Sequence, residues 1–148
     1  MPEINRPRFN ATVVQPGFEV TGQIEPIGPW IDFLNSKDKH VLPMYAARVL
    51  PFGGAANTPE HAQVFVSRSE VLLLNLPDRA SHSTVYMLKN VRSAILHAGP
   101  LVIRGEIHLG VDASLATFLD DLPGNFFPIT NAELFSTQAL PVPLPRKA

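Results

Sequence analysis

Two stretches decide the fold: FEVTGQIEPIGPWIDFLNSKDKHVLPMYAARVL, from Phe18 to Leu50, and LVIRGEIHLGVDASLATFLDDLPGNFFPITNAELF, from Leu101 to Phe135. They read as two copies of one pattern. Gly22 aligns with Gly105 and Ile24 with Ile107 at an offset of 83. Two extra residues in the second copy then carry Phe33 and Leu34 onto Phe118 and Leu119 at 85. Pro43 with Pro128 and Ala47 with Ala132 keep that second offset, and upstream ATVVQPG from Ala11 lies against AILHAGP from Ala94. Chance rarely keeps apolar phase on both sides of an insertion, so the pattern reads as a duplication rather than as two generic hairpin-plus-helix units.

Inside each copy the apolar period changes. Phe18, Val20, Gly22 and Ile24 alternate with Glu19, Thr21, Gln23 and Glu25, the period of two that marks a half-buried strand; Leu101, Ile103, Gly105 and Ile107 repeat it. Trp30, Phe33 and Leu34 then fall at i, i+3, i+4, as do Leu115, Phe118 and Leu119, a stripe on a short helix. Pro29 suits the first helical turn, and Asp112 or Ser114 suits the cap of the second helix. Helices of about two turns are unstable alone and must dock on the strands. Both stripes are therefore expected to be buried against the strand faces carrying Gly22 and Gly105. A glycine recurring in phase within a strand predicts a close neighbour or a sharp bend there.

Between the copies, QVFVSRSEVLLLNL reads as strands at Val64–Val66 and Val71–Leu74 joined by a tight turn near Arg68 and Ser69, a closing hairpin. Segment 78–98 is ambiguous, since Leu88, Val91 and Ile95 also fit a helical stripe; alignment with the first copy selects strand for Ala94–Ala98. Loops are expected at 51–61 and 77–82.

The pattern thus predicts a mainly β chain: residues 1–77 a first barrel-like repeat, 83–135 a second and incomplete one, 136–148 a Pro-rich tail. Five short strands with a closing hairpin, and a helix inserted after the second strand, resemble a small SH3-like or Sm-like barrel, here in tandem. VFVSRSEVLLLNL resembles the closing hairpin of Sm-like proteins, without their glycine-asparagine turn. A Gly-centred strand, a Phe-Leu-Asn helix end (Phe33, Leu34, Asn35) and a Pro-centred strand (Phe127, Pro128, Ile129, Thr130, Asn131, Ala132) are also similar to a prokaryotic β-rich family of unknown function. That family's last motif usually reads phenylalanine, isoleucine, proline, leucine, threonine, aspartate, alanine. Asn131 stands for the aspartate, and Leu42–Ala47 departs further. The resemblance implies a fold and no activity.

Composition agrees with this architecture. Of 148 residues, 45% are hydrophobic and 17% charged, against about 25% charged in an ordinary globular protein. Fifteen prolines leave no proline-free stretch longer than 22 residues, which argues against long helices, coiled coils and membrane-spanning helices. Without cysteine there is no disulfide, thiolate nucleophile or Cys-ligated metal site. The opening MPEINRPRFN lacks the apolar core of a signal peptide, which places the expected location in the cytoplasm.

Chemistry is thinly written. His40, His61, His82, His97 and His108 lack ligand spacing. Glu106 and His108 share a strand face with Arg104, the ordinary polar outer face of a sheet, and the first copy puts Thr21, Gln23 and Glu25 there instead. Adjacent Asp120 and Asp121 end the second helix and point apart. No GxSxG elbow surrounds a serine, and GGAAN at 53–57 lacks the Lys and Ser/Thr of a phosphate loop. The sequon at Asn10 matters only in a secreted protein. Twelve dispersed cations and a net charge of −1 argue against a nucleic-acid surface. Prolines 141, 143 and 145 give the tail an extended form without PxxP spacing.

The expectation is therefore no enzyme, no catalytic, cofactor-binding or metal-ligating residue and no cofactor. Instead the chain reads as an assembly or interaction protein, homo-oligomeric or bound to a protein partner at the open edge of the second repeat, where too little chain follows Phe135 to close the sheet. The alternative is a small-ligand- or RNA-binding regulatory module.

Overall fold

The computed structural model describes residues 7–51, 58–78, 90–98, 101–109, 114–120, 126–136 and 146–147. The chain is mainly β and divides into two compact units, Met1–Thr84 and Val85–Ala148, each with one antiparallel sheet.

In the first unit, β1 (Phe9–Gln15) turns into β2 (Phe18–Ile24) through Pro16 and Gly17. Proline presets the first turn position, and Gly17, at φ +85°, takes a conformation that a side chain would disfavour. Helix α1 (Trp30–Leu34) follows, starting directly after Pro29, whose carbonyl accepts from the Phe33 amide at 3.0 Å. Then come β3 (Val41–Pro51), β4 (His61–Ser67), a 3-10 turn (Arg68–Glu70) and β5 (Leu73–Asn75). The sheet order is β4-β3-β2-β1-β5. One face buries Ala11, Val13, Val20, Ile24, Leu42, Met44, Ala47 and Val66 beneath Trp30, Phe33 and Leu34.

Two expectations are corrected here. The strands flanking Arg68 and Ser69 do not form a hairpin: β4 pairs with β3, and β5 pairs with β1 at the opposite end of the sheet. Alternation identifies a strand but does not name its partner, and the 3-10 turn supplies the length to cross between edges. Nor is the sheet closed into a barrel, because no ladder joins β4 to the three-residue β5.

The second unit contains β6 (Asn90–Ala98), β7 (Leu101–Leu109), α2 (Leu115–Asp120), β8 (Ile129–Ser136) and β9 (Arg146–Lys147), in the order β6-β7-β8-β9, also open. Ala94–Ala98 is strand. Ser114 caps α2: its Oγ accepts from the Thr117 amide at 3.2 Å and its carbonyl from the Phe118 amide at 2.9 Å. Asp112, Leu88, His82, Asp121, prolines 141, 143 and 145 and most of loops 51–61 and 77–82 lie outside the described residues.

The ladders of the two units coincide. Ala11 faces Gly22 as Ala94 faces Gly105; Gln23 faces Tyr45 as Glu106 faces Thr130; Val20 faces Val49 as Ile103 faces Leu134. Each register breaks at the same point, between Thr21 and Gln23 and between Arg104 and Glu106. Opposite each break one non-glycine residue takes the left-handed conformation, Ala46 at φ +49° and Asn131 at +51°. The glycines make this bulge possible. A Cβ on Gly22 would lie 2.9 Å from the Tyr45 carbonyl and 3.0 Å from the Ala47 Cα, and one on Gly105 2.5 Å from Ile129 Cγ2.

Candidate interaction surface

The two helices are seated differently. Trp30, Phe33 and Leu34 are buried as expected, whereas Leu115, Phe118 and Leu119 are only half-buried, correcting the expectation that both stripes are buried. What surrounds α1 explains the difference. Phe9 and Phe33 flank Trp30 at ring separations of 5.9 and 6.2 Å. Arg68 closes the helix end: its Nη1 donates to the Phe33 and Leu34 carbonyls at 2.6 and 2.8 Å, its Nε to the Val41 carbonyl at 3.3 Å, and its backbone amide to the His40 carbonyl at 3.0 Å. The guanidinium also lies 5.1 Å from the centre of the Phe33 ring. Desolvation lowers its pKa, though an arginine stays charged. A cation at a helix C-terminus satisfies carbonyls that the helix cannot and opposes their negative dipole end.

The same segment then runs on as a strand. The Leu72 amide donates to the Val14 carbonyl at 2.9 Å, and Leu73, Leu74 and Asn75 pair with Val14, Val13 and Thr12. One stretch of about eight residues thus caps α1 and covers the outer edge of β1.

Among the described residues the second unit has no such stretch. Nothing pairs with the outer edge of β6, and no described side chain donates to the Phe118 or Leu119 carbonyl. Ile95 is 65% exposed and Val91 41%. Beside this edge a groove of about 570 Å³ is lined by Ser93–Leu96, Arg104, Leu115 and Leu119. On the other flank, β9 pairs with β8 at Glu133 and Leu134, so the chain's own last residues occupy two positions of that edge.

The polar residues singled out from sequence are spread along β7, and of them only Arg104 lines the groove. His108 Nε2 meets Thr130 Oγ1 at 2.7 Å, Asn131 Nδ2 donates to Glu106 Oε2 at 3.1 Å, and Arg104 is exposed. These pairs bind β7 to β8 across the bulge. His40, His61 and His97 are exposed and separate, and no three His, Asp or Glu residues gather in a metal-holding group among the described residues. No described helix is long and apolar enough to cross a membrane. Sequence reasoning missed Arg68, placing it in a polar turn; nothing in the letters SRSE marks a guanidinium that folds back onto a helix.

Comparison with family models, with curated proteins and with solved structures finds no match to this chain.

Proposed function

We propose that this chain is a non-catalytic interaction protein: two units built in tandem on one open-sheet plan with an inserted helix, the second offering its free β6 edge so that another polypeptide pairs there. The observation that carries the reading is the coincidence of ladders. Bulge, left-handed residue and helix insertion recur at fixed offsets, yet among the described residues only the first unit has a segment covering the edge of its first strand. An uncovered edge of this kind is a template for pairing with another chain, and a short chain with few charges has little else with which to cover apolar surface. The partner is a second copy or another protein. Native mass spectrometry of the protein as purified, at tens of micromolar, tests this: a mass above the 16.2 kDa monomer is expected, either a multiple of it or one including a bound polypeptide. A strictly monomeric, unaccompanied chain overturns the reading.

A further inference from the structure

Resting on that reading, we infer that the free edge of β6 takes up an extended segment of another protein bearing an arginine and, after four residues, a short apolar strand, so that the arginine caps α2 while the strand pairs with Ile95–His97.

The first unit supplies the template. From Arg68, four residues lead to Leu73, the first residue of β5; the guanidinium reaches two helix carbonyls and the strand pairs with Thr12–Val14. The carried-over positions in the second unit are Phe118 and Leu119 for the carbonyls and Ile95–His97 for the edge. Because β1 and β6 hold the same register on their inner neighbours, the backbone groups that Thr12 and Val14 turn toward β5 correspond to those Ile95 and His97 turn outward. The ligand chemistry follows. Main-chain pairing gives affinity, Leu115, Leu119 and Leu96 offer an apolar floor, and exposed Asp120 at the helix end adds negative charge to the carbonyls that an arginine would meet.

The donor is taken as a different protein because the first unit's own segment is already in use. Among the described residues two edges, β1 and β6, share this register, and one segment has the arginine-then-strand layout, residues 68–75, already bound to β1. Exchanging donors among identical copies fills one edge only by emptying another. With residues 68–75 as the donor, a second copy therefore cannot complete every second unit.

The test uses the full chain and a fluorescent peptide of residues 67–75, SRSEVLLLN, with anisotropy for affinity and hydrogen exchange for location. Expected are saturable binding below about 100 μM, protection appearing at the Ile95 and His97 amides, and at least tenfold weaker binding of the peptide carrying R68A. In the protein, Ile95→Pro removes an outward N–H without touching the β6–β7 ladder and should abolish binding; Ile95→Lys, at an exposed position, serves if the proline variant loses its circular dichroism. No binding, protection at Thr12 and Val14 instead, or indifference to both Ile95 substitutions overturns the inference. Because the native mass is measured without peptide, a mass above monomer with a silent peptide sinks this inference while leaving the broader reading in place.

Discussion

Ala46 and Asn131 meet the same backbone demand with different side chains. A left-handed residue costs an ordinary L-amino acid roughly 1–2 kcal/mol, and asparagine tolerates it better than alanine. Both residues are exposed, but Asn131 Nδ2 also donates to Glu106 Oε2, a bond that Ala46 has no group to make. Ala46→Gly is accordingly expected to raise stability by about 1 kcal/mol, the relief being partly offset by glycine's greater freedom when unfolded. Asn131→Gly should be neutral or harmful. Urea midpoints of the two variants check the contrast; equal gains would show that Asn131 is as strained as Ala46. At the facing positions, Gly22→Ala should destabilise by at least 1–3 kcal/mol, because the added methyl meets backbone atoms that cannot swing aside. Gly105→Ala should be milder if the Ile129 side chain can turn away. A Gly22→Ala midpoint equal to wild type would show that the bulge can open.

Helices α1 and α2 share a sequence stripe and differ in depth. Phe33→Ala should cost roughly 3–5 kcal/mol, the usual loss for a buried phenylalanine, while half-buried Phe118→Ala should cost less than half as much. Equal losses would place both side chains in equivalent cores. Arg68→Ala leaves the Phe33 and Leu34 carbonyls without their charged donor, an effect of about 1.5–3 kcal/mol; Arg68→Lys should recover only part, since one ammonium cannot reproduce the fork. Thermal or urea denaturation reads both. Leu101–Leu109 announces itself by period and the glycines by recurrence, whereas Phe18–Ile24 keeps its expected face only in part: Val20 and Ile24 are buried, but Phe18 is exposed and Glu19 buried. Pairing across long loops was not legible. Val64–Val66 and Leu73–Leu74 look like hairpin partners because they are neighbours in sequence, and only the crossing made by Arg68–Glu70 sends them to opposite edges. The depth of α2 was equally hidden, because depth depends on what another segment lays over the stripe.

At the scale of the molecule, the two sheets should differ in local stability. Amides turned toward β5 at Thr12 and Val14 have a partner, and those at Ile95 and His97 have none among the described strands. Native-state hydrogen exchange should therefore find the β6 pair exchanging at least tenfold faster; equal protection would mean that the β6 edge is already covered in the free protein. A near-neutral charge likewise predicts weak RNA binding with a shallow dependence on salt, and a steep slope in a filter-binding titration would point to a clustered cationic face. The partial legibility of the interaction surface follows from the same asymmetry. The shared apolar phase of the two halves is visible in the letters, but which flank of the second sheet stays unpaired among the described strands depends on where β9 returns.

The order of donor and acceptors along the chain has a consequence for biosynthesis. Residues 68–75 leave the ribosome after β1 and before β6, and at about 5–20 residues per second the gap up to Ala98 lasts on the order of a second or more. Strand pairing of the hairpin kind takes about 1–10 μs. The nascent chain therefore commits residues 68–75 to the first unit before the competing edge exists. Dilution from denaturant removes that head start and offers both edges at once. Refolded protein should then contain a fraction whose segment is seated on the wrong unit, relaxing slowly, that freshly translated protein lacks.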